Sequence, residues 1–372
     1  MRRENTKERL QRVRRQKRIE RRRSWQRSKF GKPAYARAAA LRQWAEENGW
    51  LVLVAPHDLS WQDEKLQRLC RYLESIRRAV LVRHRKVVVD LSNCERLSSL
   101  ACMMLAAEIE RCQGLRPNSI NGLDPRSLRA RIMLHSLGFY THLSLDRPPM
   151  RNPPKQAIQI RSGLGSDETI ASDAHEVSTV ANDVFPHRPN FAKRVHSALN
   201  EALGNVQMHA YGGSDGHCLT GRWWIAGLAD HAEGEAYFFA LDHGVGIPRT
   251  APQTMGEAFR SRLAEIAGGR DHQILELVVN ERRTRTGKAQ HGKGIASMIS
   301  LAEMAGEGEF HIFSGRGQYR LGFNSAASTE PEAFAGPLGY TFPGTLLIWR
   351  VVGPAQDTQA CEDDEQGDQT RE

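Results

Sequence analysis

The sequence predicts a two-domain chain: an N-terminal α/β layer domain, then an α/β sandwich of the α+β type with helices on one face of a mixed sheet. Three observations carry this. Between residues 35 and 146 short strand-like runs alternate with stretches of helical periodicity. Residues 147–165 hold Pro148, Pro149, Pro153, Pro154, Gly163 and Gly165, a breaker-rich boundary. From 166 to 355 strand runs are grouped with helices between them. With 372 residues, 40% of them hydrophobic, the chain can fill two ordinary cores, which excludes a wholly disordered or membrane-embedded class.

Residues 1–34 are expected to be a disordered basic arm. Residues 1–32 hold 15 Lys and Arg against 3 Glu, a charge of +12 within a net +9, so the rest of the chain is slightly acidic. Leu10, Val13 and Ile19 are too few to bury a face, while Trp25, Phe30 and Tyr35 suit base stacking or a membrane interface. Such a charge makes nucleic acid a partner class for residues 1–32.

The first block opens with the strand-like Leu51–Ala55. Trp61, Leu66, Leu69, Leu73, Ile76 and Val80 then recur at helical spacing. The run Val87–Asp90 reads as a buried strand and Ser98–Cys112 as a helix. After the turn signals Asn121 and Gly122 another helix is expected, with Pro125 in its first turn. The second block begins with a helix whose buried stripe is Phe191, Val195, Leu199, Leu203 and Val206. Strands are expected at Leu219–Leu228 and Ala236–Leu241, and near Phe310–Phe313, Tyr319–Phe323 and Leu346–Val351, with a helix opened by Gly292. The acidic residues 356–372 read as a disordered tail.

No apolar run approaches the roughly 20 residues of a bilayer-spanning helix, and the first thirty residues lack a secretory apolar core, so a cytoplasmic location without a membrane span is expected. The six cysteines contain no CxxC pair, which argues against a disulfide framework or a structural zinc site.

Three short motifs in the second block carry chemistry. In ALNEALGNVQMHAY, Glu201, Asn205 and His209 are spaced by four and stack along one helix face. An amide oxygen able to hold Mg2+, one turn from a carboxylate able to orient or deprotonate a nucleophile, suits phosphoryl transfer. In FFALDHGVGIP, Asp242 ends an apolar strand run; its carboxylate can accept a hydrogen bond from the amino group of a base, and Gly244 and Gly246 let backbone approach a planar ligand. In GKAQHGKGIASMIS, Gly292 and Gly294 precede a helix whose N-terminus can hold phosphate oxygens, with Lys288 and Lys293 as supplementary charges.

In order and separation these motifs resemble the N-box, the DxGxG box and the second glycine box of the Bergerat-fold (GHKL, histidine kinase-like) ATPases, the superfamily of gyrase, histidine kinases and mismatch-repair ATPases. FPGTLLIWRVV resembles that superfamily's closing Gly-Thr strand. The resemblance covers about half the chain. It implies ATP and Mg2+ as cofactors, with Asn205 as the Mg2+ ligand, Glu201 as the general base and Asp242 as the adenine-reading carboxylate. It puts Gly244 and Gly246 in the adenine pocket, Thr345 near adenine, Gly292, Lys293 and Gly294 at the phosphates, and His209 at the end of the N-box helix. Residues 250–291 would form a mobile lid.

In the first block, VVVDLSNCERLSSLACMMLAAEIERC resembles the STAS domain of sulfate transporters and anti-sigma-factor antagonists. The resemblance makes Ser98 the phosphoacceptor position. Leu97 and Leu100 depart from the family's turn, and a Ser before a helix is ordinarily its N-cap. The pairing implies an ATP-binding regulator closest to the anti-sigma-factor serine kinases: an ATPase or serine/threonine kinase with a protein partner at the STAS-like domain, and a homodimer as one assembly. The alternative is a nucleic-acid-binding ATPase that uses the basic arm.

Overall fold

The computed structural model describes residues 34–61, 64–143, 145, 159–164, 168–210, 221–230, 233–266, 270–284, 293–324 and 330–353. The basic arm, the acidic tail and most of the 147–165 boundary lie outside the described residues. The chain is a mixed α/β protein; its described residues form a three-stranded and a two-stranded parallel sheet and one antiparallel sheet. Among the described residues no helix is long and apolar enough to cross a membrane.

The first block runs α1 (Ala34–Glu47), β1 (Leu51–Val54), β2 (Asp58–Leu59), α2 (Glu64–Arg77), β3 (Val87–Asp90), β4 (Arg96–Leu97), α3 (Ser99–Leu115), β5 (Ile120–Leu123), α4 (Leu128–Ser136) and α5 (Phe139–His142). A parallel sheet is ordered β1-β3-β5. Its central strand is buried at all four positions, which is why β3 is uninterruptedly apolar up to Asp90. Arg42 of α1 reaches over the strand end, donating from Nε to Asp90 (2.6 Å) and from Nη2 to Ser92 Oγ (2.9 Å). Ser98 caps α3, its hydroxyl accepting from the Ala101 N–H at 3.2 Å. Ser127, not Pro125, starts α4: its Oγ accepts from the Ala130 N–H, an acceptor that proline lacks.

The second block runs β6 (Arg161–Leu164), α6 (Ile170–Ser178), α7 (Ala181–Val184), α8 (Pro189–Asn205), β7 (Arg222–Asp230), β8 (Glu235–Asp242), α9 (Ile247–Thr254), α10 (Glu257–Glu265), α11 (Asp271–Thr284), α12 (Lys293–Ala305), β9 (Glu307–Asn324) and β10 (Glu332–Val352). Its sheet is antiparallel and ordered β6-β7-β8-β10-β9. Two expectations are corrected. Residues 161–164, assigned to the boundary segment, pair with β7 as an edge strand, because the Gly163 interruption is tolerated at a sheet margin. The strand pieces near 310 and 319 belong to one long strand that turns at Gly315 (φ 59°).

Strand alternation sorts this sheet's side chains onto two faces. Trp223, Ile225, Phe238, Ala240, Phe310, Leu347 and Trp349 face α6, α8 and α12, and Trp349 Nε1 donates to Met298 O of α12 (2.8 Å). Trp224, Ala226, Phe239, Leu241, Leu346 and Ile348 point the other way and share one core with Leu69 and Leu73 of α2 and Met103, Met104 and Ala107 of α3. The two blocks therefore interlock through a common apolar core. Glu110 of α3 pins the seam. It accepts from Trp224 Nε1 (2.7 Å) and Arg222 Nη1 (2.6 Å) of β7, and pairs with His142 Nε2 (2.8 Å). Burial would raise this carboxyl's pKa, but the hydrogen bonds from His142 and Trp224 and the charges of His142 and Arg222 outweigh it and hold it below the ordinary value.

Candidate functional site

Helix α8 starts with Pro189 in its first turn and buries Phe191, Val195, Leu199 and Leu203. That stripe leaves Glu201 and Asn205 half-buried at the helix's C-terminal end. The chain continues into a π-helical turn, Val206–Ala210, which contains His209. A cavity of about 100 Å3 opens beside it. Asn205 stands on one wall, Asp242 and Thr345 on the sheet wall, and Gly246 at the loop between. A Cβ placed on Gly294, at the start of α12, would lie 2.9 Å from Glu201 Oε2 and 3.7 Å from Asn205 Nδ2. Thus Glu201, Asn205, Asp242, Gly246, Gly294 and Thr345 converge. Gly292 and the side chains of His209 and Lys293 lie outside the described residues.

Asp242 is the last residue of β8, 5% exposed, and paired in register with Trp223 on one side and Thr345 on the other. Burial pushes its carboxyl up to about 6, against hydrogen bonds from Gly244 and Thr345 that favour the ionised form. The Gly244 N–H donates to Oδ1 at 2.6 Å. Gly244 cannot be replaced cheaply, since a Cβ there would sit 2.6 Å from Ala210 O and 2.8 Å from Asp242 Oδ1. Across the strand Gly344 holds φ 85° with its missing Cβ directed at Asp242 O, 2.1 Å away. The carboxylate thus sits in a frame of close backbone and lines the cavity.

Sequence reasoning missed Ser314. This residue of β9 is fully buried; its Oγ donates to Gly344 O (2.9 Å) and accepts from the Ile247 N–H (2.9 Å), and it lies 3.3 Å from Thr345 Oγ1. Helix α9 has no side-chain cap of its own at Gly246, so Ser314 satisfies a first-turn N–H from a distant strand. It also missed the rest of the cavity lining, including Thr250, Thr254, Met255 and Val278. The segment expected as a mobile lid contributes α9, α10 and α11, which share a small core of Ala251, Met255, Phe259, Ile274 and Val278. Pro248, just after Gly246, was the available signal for that helix.

Ser98 is not part of this constellation. The cavity opens on the helix-covered face of the five-stranded sheet, whereas Ser98 belongs to the block packed on the opposite face. His243, next to Asp242, also faces that block, with its ring 4.7 Å from Trp224 and lining a small cavity with Arg77, Glu108 and Tyr340. Burial, then the charges of Arg111 and Arg77, push the His243 pKa well below the usual imidazole value. Among the described residues no group of three or more His, Cys, Asp or Glu side chains could hold a metal by itself. An ion at this site would depend on the Asn205 amide oxygen together with oxygens of its ligand. No protein-family model matches the chain, and no curated protein matches it either.

Proposed function

We propose that the chain is an ATP-binding regulatory protein, its second block a Bergerat-type, histidine kinase-like nucleotide domain and its first block a STAS-like domain. The observation that carries this reading is one cavity bounded by Asn205, Asp242, Gly246 and Thr345, residues from three separate stretches of sequence. Each wall has the chemistry that a purine nucleotide requires. Asp242 accepts from the amino group of the base, and apolar Ala240, Met298 and Leu347 border its ring. Asn205 supplies a hard oxygen donor for Mg2+, which neutralises phosphate charge. Glu201 lies one helical turn before Asn205 and close to Gly294, where it can take a proton from water or an incoming hydroxyl.

The packing of the first block bears on the type of regulator. Helix α3 is buried from Ser99 to Ile109 between the two sheets, so a protein partner meets other surfaces of the STAS-like block. The sheet separates Ser98 from the cavity, which favours an acceptor from outside: a partner protein, or Ser98 of a second copy in a homodimer. Of the two enzymatic readings, this supports a serine/threonine kinase or ATP-dependent partner switch acting between chains.

Incubation with Mg2+ and γ-labelled ATP tests the proposal. The intact protein is expected to bind ATP. Asn205→Ala should lose the Mg2+-dependent part of that affinity, and Glu201→Ala should keep binding but lose release or transfer of label. Absence of ATP binding by the intact protein refutes the reading.

A further inference from the structure

A second surface of the first block, remote from the nucleotide cavity, combines uncompensated positive charge with aromatic faces. Residues 82–86, Val-Arg-His-Arg-Lys, are all exposed, and among the described residues Arg83, Arg85 and Lys86 form no ion pair. The segment turns sharply between the π-helical turn Arg78–Val82 and β3, with His84 in the left-handed region (φ 52°). Three contacts tie it to the end of α1 and the start of β1, the first being the Leu51 N–H, which donates to Lys86 O (2.8 Å). Arg85 Nη2 donates to Gly49 O (3.2 Å), and Lys86 Nζ stands 5.4 Å above the Trp50 ring. Trp50 in turn lies 5.4 Å from Trp44, which remains 39% exposed. Arg78, 61% exposed, flanks the patch, and among the described residues its one ion-pair partner is Glu74 at 3.8 Å. At the other end of α1, about 21 Å away for a 14-residue helix, the chain joins the arm with its 15 Lys and Arg.

We infer that this surface binds single-stranded nucleic acid, with phosphates on Arg83, Arg85 and Lys86 and an unpaired base against Trp44. Exposed cations without an acidic partner beside an exposed indole are the combination that tracks a sugar-phosphate backbone and stacks its bases. A duplex would leave the indole without a base face. A membrane-inserting loop would present several large apolar side chains at its tip, whereas Val82 is the one apolar residue of 82–86. The inference is independent of the nucleotide reading, because none of these residues touches the cavity or the sheet that forms it.

The test uses the full-length protein with labelled oligonucleotides of about 20 nucleotides, poly(dT), poly(U) and a duplex, and with phosphatidylserine-containing vesicles, across a salt series. Wild type should bind both single strands more tightly than the duplex. The triple variant Arg83→Ala/Arg85→Ala/Lys86→Ala should weaken single-strand binding about tenfold and flatten the log–log salt slope by about 2, three phosphate contacts at about 0.7 each. Trp44→Leu should weaken binding about fivefold with an unaltered slope. Because the three cations are exposed and lose only one exposed hydrogen bond and one cation–π contact, the triple variant should stay folded with its thermal midpoint lowered by a few degrees at most, and it decides the matter if Trp44→Leu folds poorly. Unchanged affinity and slope in the triple variant overturn the inference, as does a loss confined to vesicle binding.

Discussion

Replacing Asp242 by Asn separates what a buried carboxylate costs the fold from what it contributes to binding. Burial raises its pKa from 3.8 to about 6. A rise of about two units, at about 1.4 kcal/mol each, amounts to about 3 kcal/mol. Between those values the folded protein holds a proton that the unfolded chain has released, so stability falls as pH rises from about 4 to about 6 and then levels. Asn keeps the shape and an acceptor for the Gly244 N–H but cannot titrate. Urea unfolding of both proteins from pH 4 to 7.5 should therefore show the variant gaining on wild type by about 3 kcal/mol across that window. Asp90, Glu110, Glu235 and Glu309, whose partners outweigh burial and hold them below ordinary values, titrate alike in both proteins and cancel in the difference. Two parallel stability curves would refute the argument. Nucleotide affinity should move oppositely: the ionised carboxylate is the stronger acceptor for a base amino group, so wild type binds ATP more weakly as pH falls below about 6, by up to about tenfold per unit, while the variant, with only an amide oxygen to offer, binds weakly throughout.

Glu110→Gln removes the charge at the seam between the blocks. It should cost about 2 kcal/mol in urea unfolding at pH 7, the scale of a charge-assisted hydrogen bond. In the wild type, stability contributed by this carboxylate is present above its unfolded value of about 4.5 and is lost as pH falls toward its lowered folded value. Ser314→Ala deletes the remote cap of α9 and should cost about 1 kcal/mol of stability. It should also weaken ADP binding several-fold while leaving inorganic tripolyphosphate unaffected, because the cap orients the base end of the cavity; equal weakening of both ligands, measured by calorimetry well below the unfolding midpoint, would contradict that.

The fold was most legible where one residue type dictates one geometry. The apolar run ending at Asp90, the stripe from Phe191 to Leu203 and the Ser98 cap all lie where periodicity and side-chain chemistry put them. Asn205 and Asp242 were readable as candidates because polar groups at the ends of apolar elements stand out, and Thr345 through the resemblance of its Gly-Thr strand. Ser314 was not, since a serine within a strand pattern carries no sign that its hydroxyl will meet an N–H 67 residues earlier. The helices inside 250–291 were not legible for a related reason: Ala251, at the helix that carries Thr250 and Thr254, and Met255 just after it pack on Phe259, Ile274 and Val278, a tertiary condition absent from local propensity.

The interlocking of the blocks had a signal that a two-domain reading passed over. SSLACMMLAAEIERC is apolar around most of its circumference, and a helix of that kind needs neighbours on every side. One three-stranded sheet cannot supply them; the outer face of the five-stranded sheet does. That arrangement binds the cavity to the first block through β8 and β10, each of which carries side chains to both. On β8 the side chain of Asp242 faces the cavity, while Leu241 packs in the shared core and His243 lies beside Trp224 near Arg77 and Glu108. Any displacement of the Asp242 backbone moves both neighbours, and with them the contacts of α2 and α3. Coupling between ligand and first block, if measured, therefore needs no chain of intermediate residues: the two faces of one strand suffice.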